Sequence, residues 1–138
     1  MSPPEPAPVE EVLELSSSDH VVQVRQRVRA LAIQIGLSLV DQTKIVTAAS
    51  ELARNTIDHG GGGNVTIVRI DETMKRGIRL TFEDHGPGIP DISLALKDGY
   101  STGGGLGLGL SGSKRLCNEF HIESRVGVGT RVSIARWK

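Results

Sequence analysis

Ile78-Arg79-Leu80-Thr81-Phe82-Glu83-Asp84-His85-Gly86-Pro87-Gly88-Ile89-Pro90 is the stretch that decides how this chain is built. Ile78, Leu80 and Phe82 alternate with Arg79, Thr81 and Glu83, the two-residue period of a strand with one buried face. The period stops at Asp84. Two glycines and two prolines in the next six residues exclude both helix and central strand. A carboxylate is thus delivered at the end of a half-buried strand, beside backbone that bears few side chains. That arrangement suits an acceptor for the exocyclic amine of a flat ligand approached closely by glycine. By itself it also suits a capped turn.

Upstream, Asn64–Ile70 reads as a strand joined to Ile78–Glu83 by a turn at Met74-Lys75-Arg76-Gly77. Gly60-Gly61-Gly62-Gly63 breaks the chain before it. A helix is expected from about Ser38 to Asp58, with Ile45, Ala49, Leu52 and Thr56 on its buried side. A second helical stripe, Val21, Val24, Val28, Leu31 and Ile35, precedes it, with Asp19 as the cap and Gly36 as the stop. A strand near Val12–Leu15 comes first, after a proline-bearing tail over residues 1–9. Downstream, a short helix is expected near Asp91–Lys97. The run Gly103–Gly109 leads into another, beginning near Gly107 and reaching about Glu119. Phe120–Ser124 and Thr130–Trp137 form a closing hairpin around Arg125–Gly129. Two layers follow: an α+β, two-layer α/β sandwich with a mixed, mostly antiparallel sheet and helices on one face. Residues 10–138 are expected to form one domain.

Composition narrows the class. The chain has 138 residues, and its 16 Lys and Arg balance 16 Asp and Glu, so no basic footprint for nucleic acid exists. No apolar run is long enough for a membrane span, and the single cysteine suits a reducing cytoplasm. Cys117 reads as a small core residue within a helix. His121 and Glu123 read as an outward strand face, and Arg25, Arg27 and Arg29 as a solvated helix face. Glycine is the outlier, with 17 residues gathered mostly in four clusters.

Two further patterns carry chemistry. Glu51 and Asn55 lie four apart on one helix, hence on one face. A carboxylate and an amide there can hold a divalent cation or position a nucleophile's proton, although a solvated face has the same spacing. Gly103-Gly104-Gly105-Leu106-Gly107-Leu108-Gly109-Leu110 alternates glycine with leucine, which a plain linker does not. Successive unshielded N–H groups suit an anion, helped by the following helix dipole. Neither familiar phosphate motif fits. Gly107-x-Gly109-x-x-Gly112 lacks the preceding strand of a dinucleotide fold, and Ser113-Lys114 reverses the order a P-loop requires.

In order, Glu51-x-x-x-Asn55, Asp84-x-Gly86-x-Gly88, Gly103–Leu110 and Gly127-x-Gly129-Thr130 resemble the N, G1 and G2 boxes and closing Gly-Thr of the GHKL superfamily. This is the ATPase fold of gyrase, Hsp90 and histidine kinases, also called the Bergerat type. The resemblance implies ATP or ADP with Mg2+ as cofactors. It implies Asn55 as metal ligand, Glu51 as the base, and Asp84 on the adenine amine with Thr130 nearby. It implies a lid of Ser101, Thr102, Gly103, Gly104, Gly105, Leu106, Gly107, Leu108 and Gly109 around the phosphates, with Lys114 or Arg115 assisting. Asp58, His59, Gly86, Gly88 and Ile89 complete the implied nucleotide set.

Asp98-Gly99-Tyr100-Ser101-Thr102, Glu51-Leu52-Ala53-Arg54-Asn55 and the short lid are similar to the RsbT family. That resemblance implies a serine/threonine kinase acting on a serine of a STAS-domain antagonist in bacterial stress signalling, with a PP2C-type phosphatase as a second partner. Asn55-Thr56-Ile57-Asp58-His59-Gly60 is similar instead to the anti-sigma-factor kinases, which leaves a sigma-binding module as the alternative. A histidine kinase reading lacks a phosphoacceptor helix pair, and His20 beside a helix cap reads as a surface histidine.

Overall fold

The computed structural model describes residues 9–97 and 109–138. The expected tail, apart from Val9, lies outside them. So do Asp98-Gly99-Tyr100 and the lid residues from Ser101 to Leu108.

The elements follow in the expected order. Strand β1 (Glu10–Leu15) leads to helices α1 (Ser18–Ile35) and α2 (Leu39–Asp58). Strands β2 (Gly63–Glu72) and β3 (Lys75–Asp84) form a hairpin. Helix α3 (Ile92–Ala95) is one turn long. Helix α4 (Leu110–Arg115) precedes the hairpin of β4 (Glu119–Arg125) and β5 (Gly129–Trp137). The β2–β3 turn is tighter than expected. It occupies only Thr73 and Met74, because Lys75 to Gly77 pair with Glu72 to Ile70.

The sheet order is β1-β2-β3-β5-β4. Every pairing among the described residues is antiparallel, so the mixed, mostly antiparallel sheet expected from the sequence holds with its parallel component removed. Between β1 and β2 lie two helices rather than one. An αα-hairpin reverses the chain twice, so β2 returns antiparallel to β1. The single crossover from β3 through α4 does make β4 run parallel to β3, as one-helix crossovers do. The two never touch, because β5 turns back and inserts between them.

Alternation along the strands decides which face is covered. Leu15, Val65, Ile67, Ile78, Leu80, Phe82, Val132 and Ile134 all point to the helical layer and are buried. All five residues of the expected α1 stripe are buried, as are Ile45, Ala49, Leu52 and Thr56 of α2. The opposite face carries Arg79, Thr81, Glu83 and Ser133, half-exposed. Burial of this aliphatic set, at roughly 25 cal/mol per Å2 of apolar surface, is the main force holding the layers together.

Three local expectations change. Ser17, not Asp19, stands at the N-cap of α1, and Asp19 falls in the first turn. His20 explains the shift, since its Nδ1 accepts from the Ser16 and Ser17 N–H groups at 3.0 and 3.3 Å. It does the work that Glu or Gln does in a capping box. Helix α4 begins only at Leu110 and ends at Arg115, well before Glu119. There the Asn118 N–H turns to Ala135 O at 2.8 Å and Asn118 Oδ1 accepts from the Trp137 N–H at 2.7 Å. Sheet pairing thereby ends the helix. Cys117 consequently sits in the turn after α4, half-buried, rather than within the helix.

Burial pushes the Cys117 thiol up to about 12, against a weaker opposing pull from Arg136. The thiolate is the reactive form, so Cys117 is inert near neutrality. Alkylation at pH 8 is expected to be at least about a hundredfold slower in the native protein than in urea. Comparable rates in both would show an accessible thiolate.

Arg136 clamps the α2 start to the sheet. It donates to Asp41 Oδ1 at 2.5 Å and to Leu116 O at 3.3 Å. The Arg136 hydrogen bond is the largest influence holding the Asp41 carboxyl below its usual range. A depressed folded value means the stabilisation is present above the unfolded pKa of about 4 and fades as pH falls through the folded value. Arg136→Met is expected to cost about 1–2 kcal/mol at pH 7, in proportion to the hydrogen bonds lost. The deficit should shrink near pH 2. Urea unfolding at the two pH values checks this, and an undiminished deficit at pH 2 would assign the loss to packing alone.

Candidate functional site

Asp84 ends β3 on the helix-facing side and is 8% exposed. Its Oδ1 is doubly engaged, accepting from the Gly86 N–H at 3.0 Å and the Thr130 N–H at 3.2 Å. Among the described residues nothing donates to Oδ2. The carboxylate is therefore aimed by backbone, with one oxygen left over. A ligand amine can donate to that remaining oxygen.

Glycines let the loop close around this side chain. A Cβ on Gly60 would lie 2.3 Å from Asp84 Cγ, and one on Gly86 would lie 2.7 Å from Gly60 Cα. These glycines serve close packing of protein on protein, whereas the sequence suggested room for a ligand at Gly86 and a mere chain break at Gly60. Gly88 (φ +77°) presses on Arg125 O in the same way, and the Gly127 N–H donates to Pro87 O at 2.9 Å. The Asp84–Pro90 loop is thus fastened to the β4–β5 turn.

Helix α2 supplies the other wall. Leu52, Asn55, Thr56 and His59 face Phe82, Asp84, Ile89, Leu110, Thr130 and Val132 across a narrow cleft. Its volume is about 20 Å3, room for a water rather than a base, so a nucleotide enters only as the walls part. A larger cavity of about 260 Å3 lies on the open side of the sheet, lined by Glu83, Glu123, Arg125 and Arg131 among others. Asp84 and Thr130 line both, and only the cleft adds Asn55 from α2. The chemistry decides, because the open cavity has no α2 residue.

Most of the described residues singled out from sequence come together here. His59, the C-cap of α2, donates from Nε2 to Gly88 O at 3.2 Å and so braces the loop. Ile89 is buried against the cleft. Glu51 lies one turn before Asn55, half-buried. A Cβ on Gly109 would come within 2.9 Å of Glu51 Oε2, so that carboxylate faces the end of the glycine-rich segment. Gly109 itself is left-handed at φ +63° and caps α4.

Others do not join. Asp58 is exposed and lines a different groove with Val21, Arg25 and Arg54, between α1 and α2. Lys114 and Arg115 occupy the last turn of α4, about 7.5 and 9 Å along the axis from Gly109, and do not line the cleft. Ser101, Thr102, Gly103, Gly104, Gly105, Leu106, Gly107 and Leu108 lie outside the described residues. Among the described residues no group of three His, Cys, Asp or Glu side chains could hold a metal ion. No described helix is long and apolar enough to cross a membrane.

Residues 40–138 match the family described as histidine kinase-, DNA gyrase B- and HSP90-like ATPases. The chain belongs to that family. The serine/threonine-protein kinase RsbT of Bacillus subtilis is 45% identical over 117 residues, 85% of this chain and 88% of the relative. The anti-sigma F factor of Clostridium kluyveri is 31% identical over 122 residues, 86% of each chain. Among solved structures, the RsbU and RsbW domains of a Mycobacterium tuberculosis protein superpose with a TM-score of 0.65 at 19% identity, over 96% of this chain. The chain spans about a third of that larger protein, 34%. The catalytic domain of the histidine kinase ThkA follows with a TM-score of 0.50 at 19% identity, covering 91% of this chain and 95% of that one. These two likenesses speak for the fold alone, and they agree with the helix-on-sheet architecture.

Two site residues escaped the sequence reading. Gly60 was visible only as part of a glycine run and as the end of the Asn55–Gly60 stretch. Ser124 was visible only as the last inward position of β4. Its signal was the hairpin register: Arg125 pairs with Gly129 across a three-residue turn at 126–128, which sets Ser124 opposite Thr130.

Proposed function

We propose that this protein is an ATP-dependent serine/threonine kinase that phosphorylates a serine on a STAS-domain antagonist in a bacterial partner-switching pathway. One observation carries the reading: Asp84, with Oδ1 saturated and Oδ2 free, stands in a cleft walled by Asn55, with Glu51 one turn away. The 45% identity to a named serine/threonine kinase supports the reaction class.

The residues present fit ATP and ADP. Asp84 Oδ2 accepts from the adenine amine, and Ile89 and Leu110 offer apolar contact to the base. The Asn55 amide oxygen gives Mg2+ one hard ligand, which suits a small cation that keeps waters and phosphate oxygens as its others. ATP, when bound, supplies the phosphoryl group. Glu51 takes the proton of the incoming serine hydroxyl. The place of action is the cytoplasm, and a PP2C-type phosphatase is a second partner once the antagonist is released.

Incubation with γ-labelled ATP, Mg2+ and a STAS-domain partner is expected to label a serine on the partner. Glu51→Ala should cut that transfer by about a hundredfold or more, within the range for a positioned base. Transfer at the full rate would remove Glu51 from the role. The second reading, a nucleotide-gated anti-sigma module, is favoured by the 31% identity to anti-sigma F factors. Capture of a sigma subunit in the presence of ATP or ADP, without transfer to a STAS partner, would decide for it.

A further inference from the structure

Strand β1 is an edge of the sheet, and among the described residues only β2 pairs with it. The Arg69 N–H donates to Val9 O at 2.8 Å, so the odd-numbered residues of this segment carry the ladder to β2. Glu10, Val12 and Glu14 therefore turn their N–H and C=O groups to the open edge. Their side chains stand on the sheet face away from the helices and are exposed, Val12 by 60%. Glu10 and Glu14 make no ion pair with any described residue. The strand has no proline and no bulge, two of the usual guards of an edge. Its guard is acidic.

On the other face, β1 and α1 border a groove of about 360 Å3, lined by Glu11, Leu13, Gln23, Gln26, Arg27 and Ala30. Leu13 is only half-buried there, whereas Leu15, next on the same face, is fully covered. Arg27 Nε donates to Glu11 Oε2 at 2.7 Å, which ties helix to strand and fixes the width of the groove. An open edge beside a helix, with a pocket for alternate side chains, is the geometry that accepts an added strand.

Charge decides the occupant. Opposite charges directly across a ladder stabilise and like charges destabilise. Two β1 strands paired antiparallel about Val12 would set Glu10 against Glu14 on both sides, so a second copy is disfavoured. Residues 1–8 hold four prolines and no lysine or arginine, so they supply neither the donors nor the charge. We propose that the β1 edge and its groove dock an extended basic segment of a partner protein, added antiparallel as a sixth strand. Its lysines or arginines lie opposite Glu14 and Glu10. Between them come an apolar residue opposite Leu13, which fills the groove over Ala30, a β-branched residue opposite Val12, and a polar residue beside the Arg27–Glu11 pair. The pattern is basic, apolar, β-branched, polar, basic. This docking needs neither ATP nor the kinase assignment.

The test uses a blocked peptide with Lys-Leu-Val-Thr-Lys at its centre, titrated into the full chain by calorimetry. Micromolar-range binding is expected, with or without ATP. Exchanging Leu and Thr in the peptide moves the apolar side chain away from Leu13 and should weaken binding about tenfold. The double variant Glu10→Lys with Glu14→Lys should lose about tenfold, and a peptide with Glu in place of both lysines should restore its binding. Val12→Pro deletes an outward N–H without touching the ladder to β2, a substitution an edge strand tolerates. It should weaken binding at least tenfold while thermal unfolding stays near wild type. No binding by wild type, or equal binding by the exchanged peptide, would overturn the proposal. So would full binding by a folded Val12→Pro protein. A wild-type dimer in sedimentation that Val12→Pro dissociates would give the edge to a second copy and overturn it too.

Discussion

Asp84→Asn is expected to weaken ATP binding by about a hundredfold while barely changing the stability of the protein. The asymmetry follows from the two oxygens. Oδ1 accepts from the Gly86 and Thr130 N–H groups, and an asparagine carbonyl can accept from both. Oδ2 is replaced by an NH2 group, a donor set against the donor amine of adenine. A charge-assisted bond is lost and a donor–donor contact replaces it, about 3 kcal/mol together. That is somewhat more than a hundredfold in Kd. Calorimetry with ATP and Mg2+ reads the affinity, and urea unfolding reads the stability. Binding within threefold of wild type would take Asp84 out of base recognition. A large stability loss would show that the carboxylate's charge, not its geometry, holds the loop.

Gly60→Ala is the second large effect, and it acts on stability first. Gly60 is buried, and a Cβ there would meet Asp84 Cγ at 2.3 Å and Oδ2 at 2.4 Å. Gly86 presses on the same backbone from the other side, so Gly60 has no direction in which to retreat. Overpacking of this kind costs about 2–3 kcal/mol, or roughly 10 °C in Tm for a domain of this size. ATP affinity should fall as well, because Asp84 is the atom group displaced. Its neighbour supplies the control. Gly61 is left-handed at φ +76° but faces open space. Gly61→Ala therefore carries only the backbone penalty of about 1 kcal/mol and should leave ATP binding unchanged. Equal effects of the two variants would mean that the glycine run matters for conformational freedom rather than for close approach.

Together these predictions describe a site whose precision lies in backbone. The loop after β3 is tied to the β4–β5 turn through Gly127 and Pro87, and to α2 through His59 and Gly88. Asp84 is held by two N–H groups from these segments. Orientation by backbone is inexpensive in side-chain entropy, which favours a group that must wait in place for its ligand.

Much of this was legible beforehand. The inward series of β3, the stripes of α1 and α2, and the Glu51–Asn55 pair follow from periodicity, because strand and helix impose their periods on any chain that buries one face. The resemblance carried by four ordered motifs reached the family that the comparisons established. Boundaries fared less well where two local solutions competed. At the α1 start both Ser17 and Asp19 can cap, and His20 settled the choice through a contact that a capping pattern of Glu or Gln does not include. At α4, helical residues continued past Arg115 in the sequence, but the pairing of Asn118 with β5 offered its backbone a better partner.

What the sequence by itself determined was the set of elements, the buried faces and the chemical inventory of the site, since these depend on residues near one another in the chain. Only the tertiary structure decided that the sheet is antiparallel throughout, with β5 placed between β3 and β4. It also decided that Gly60 packs on Asp84, that Asp58 faces a different groove, and that Ser124 lies under Thr130. Each of these joins segments distant in sequence. Contacts of that kind are fixed by how whole layers pack, which no local period encodes.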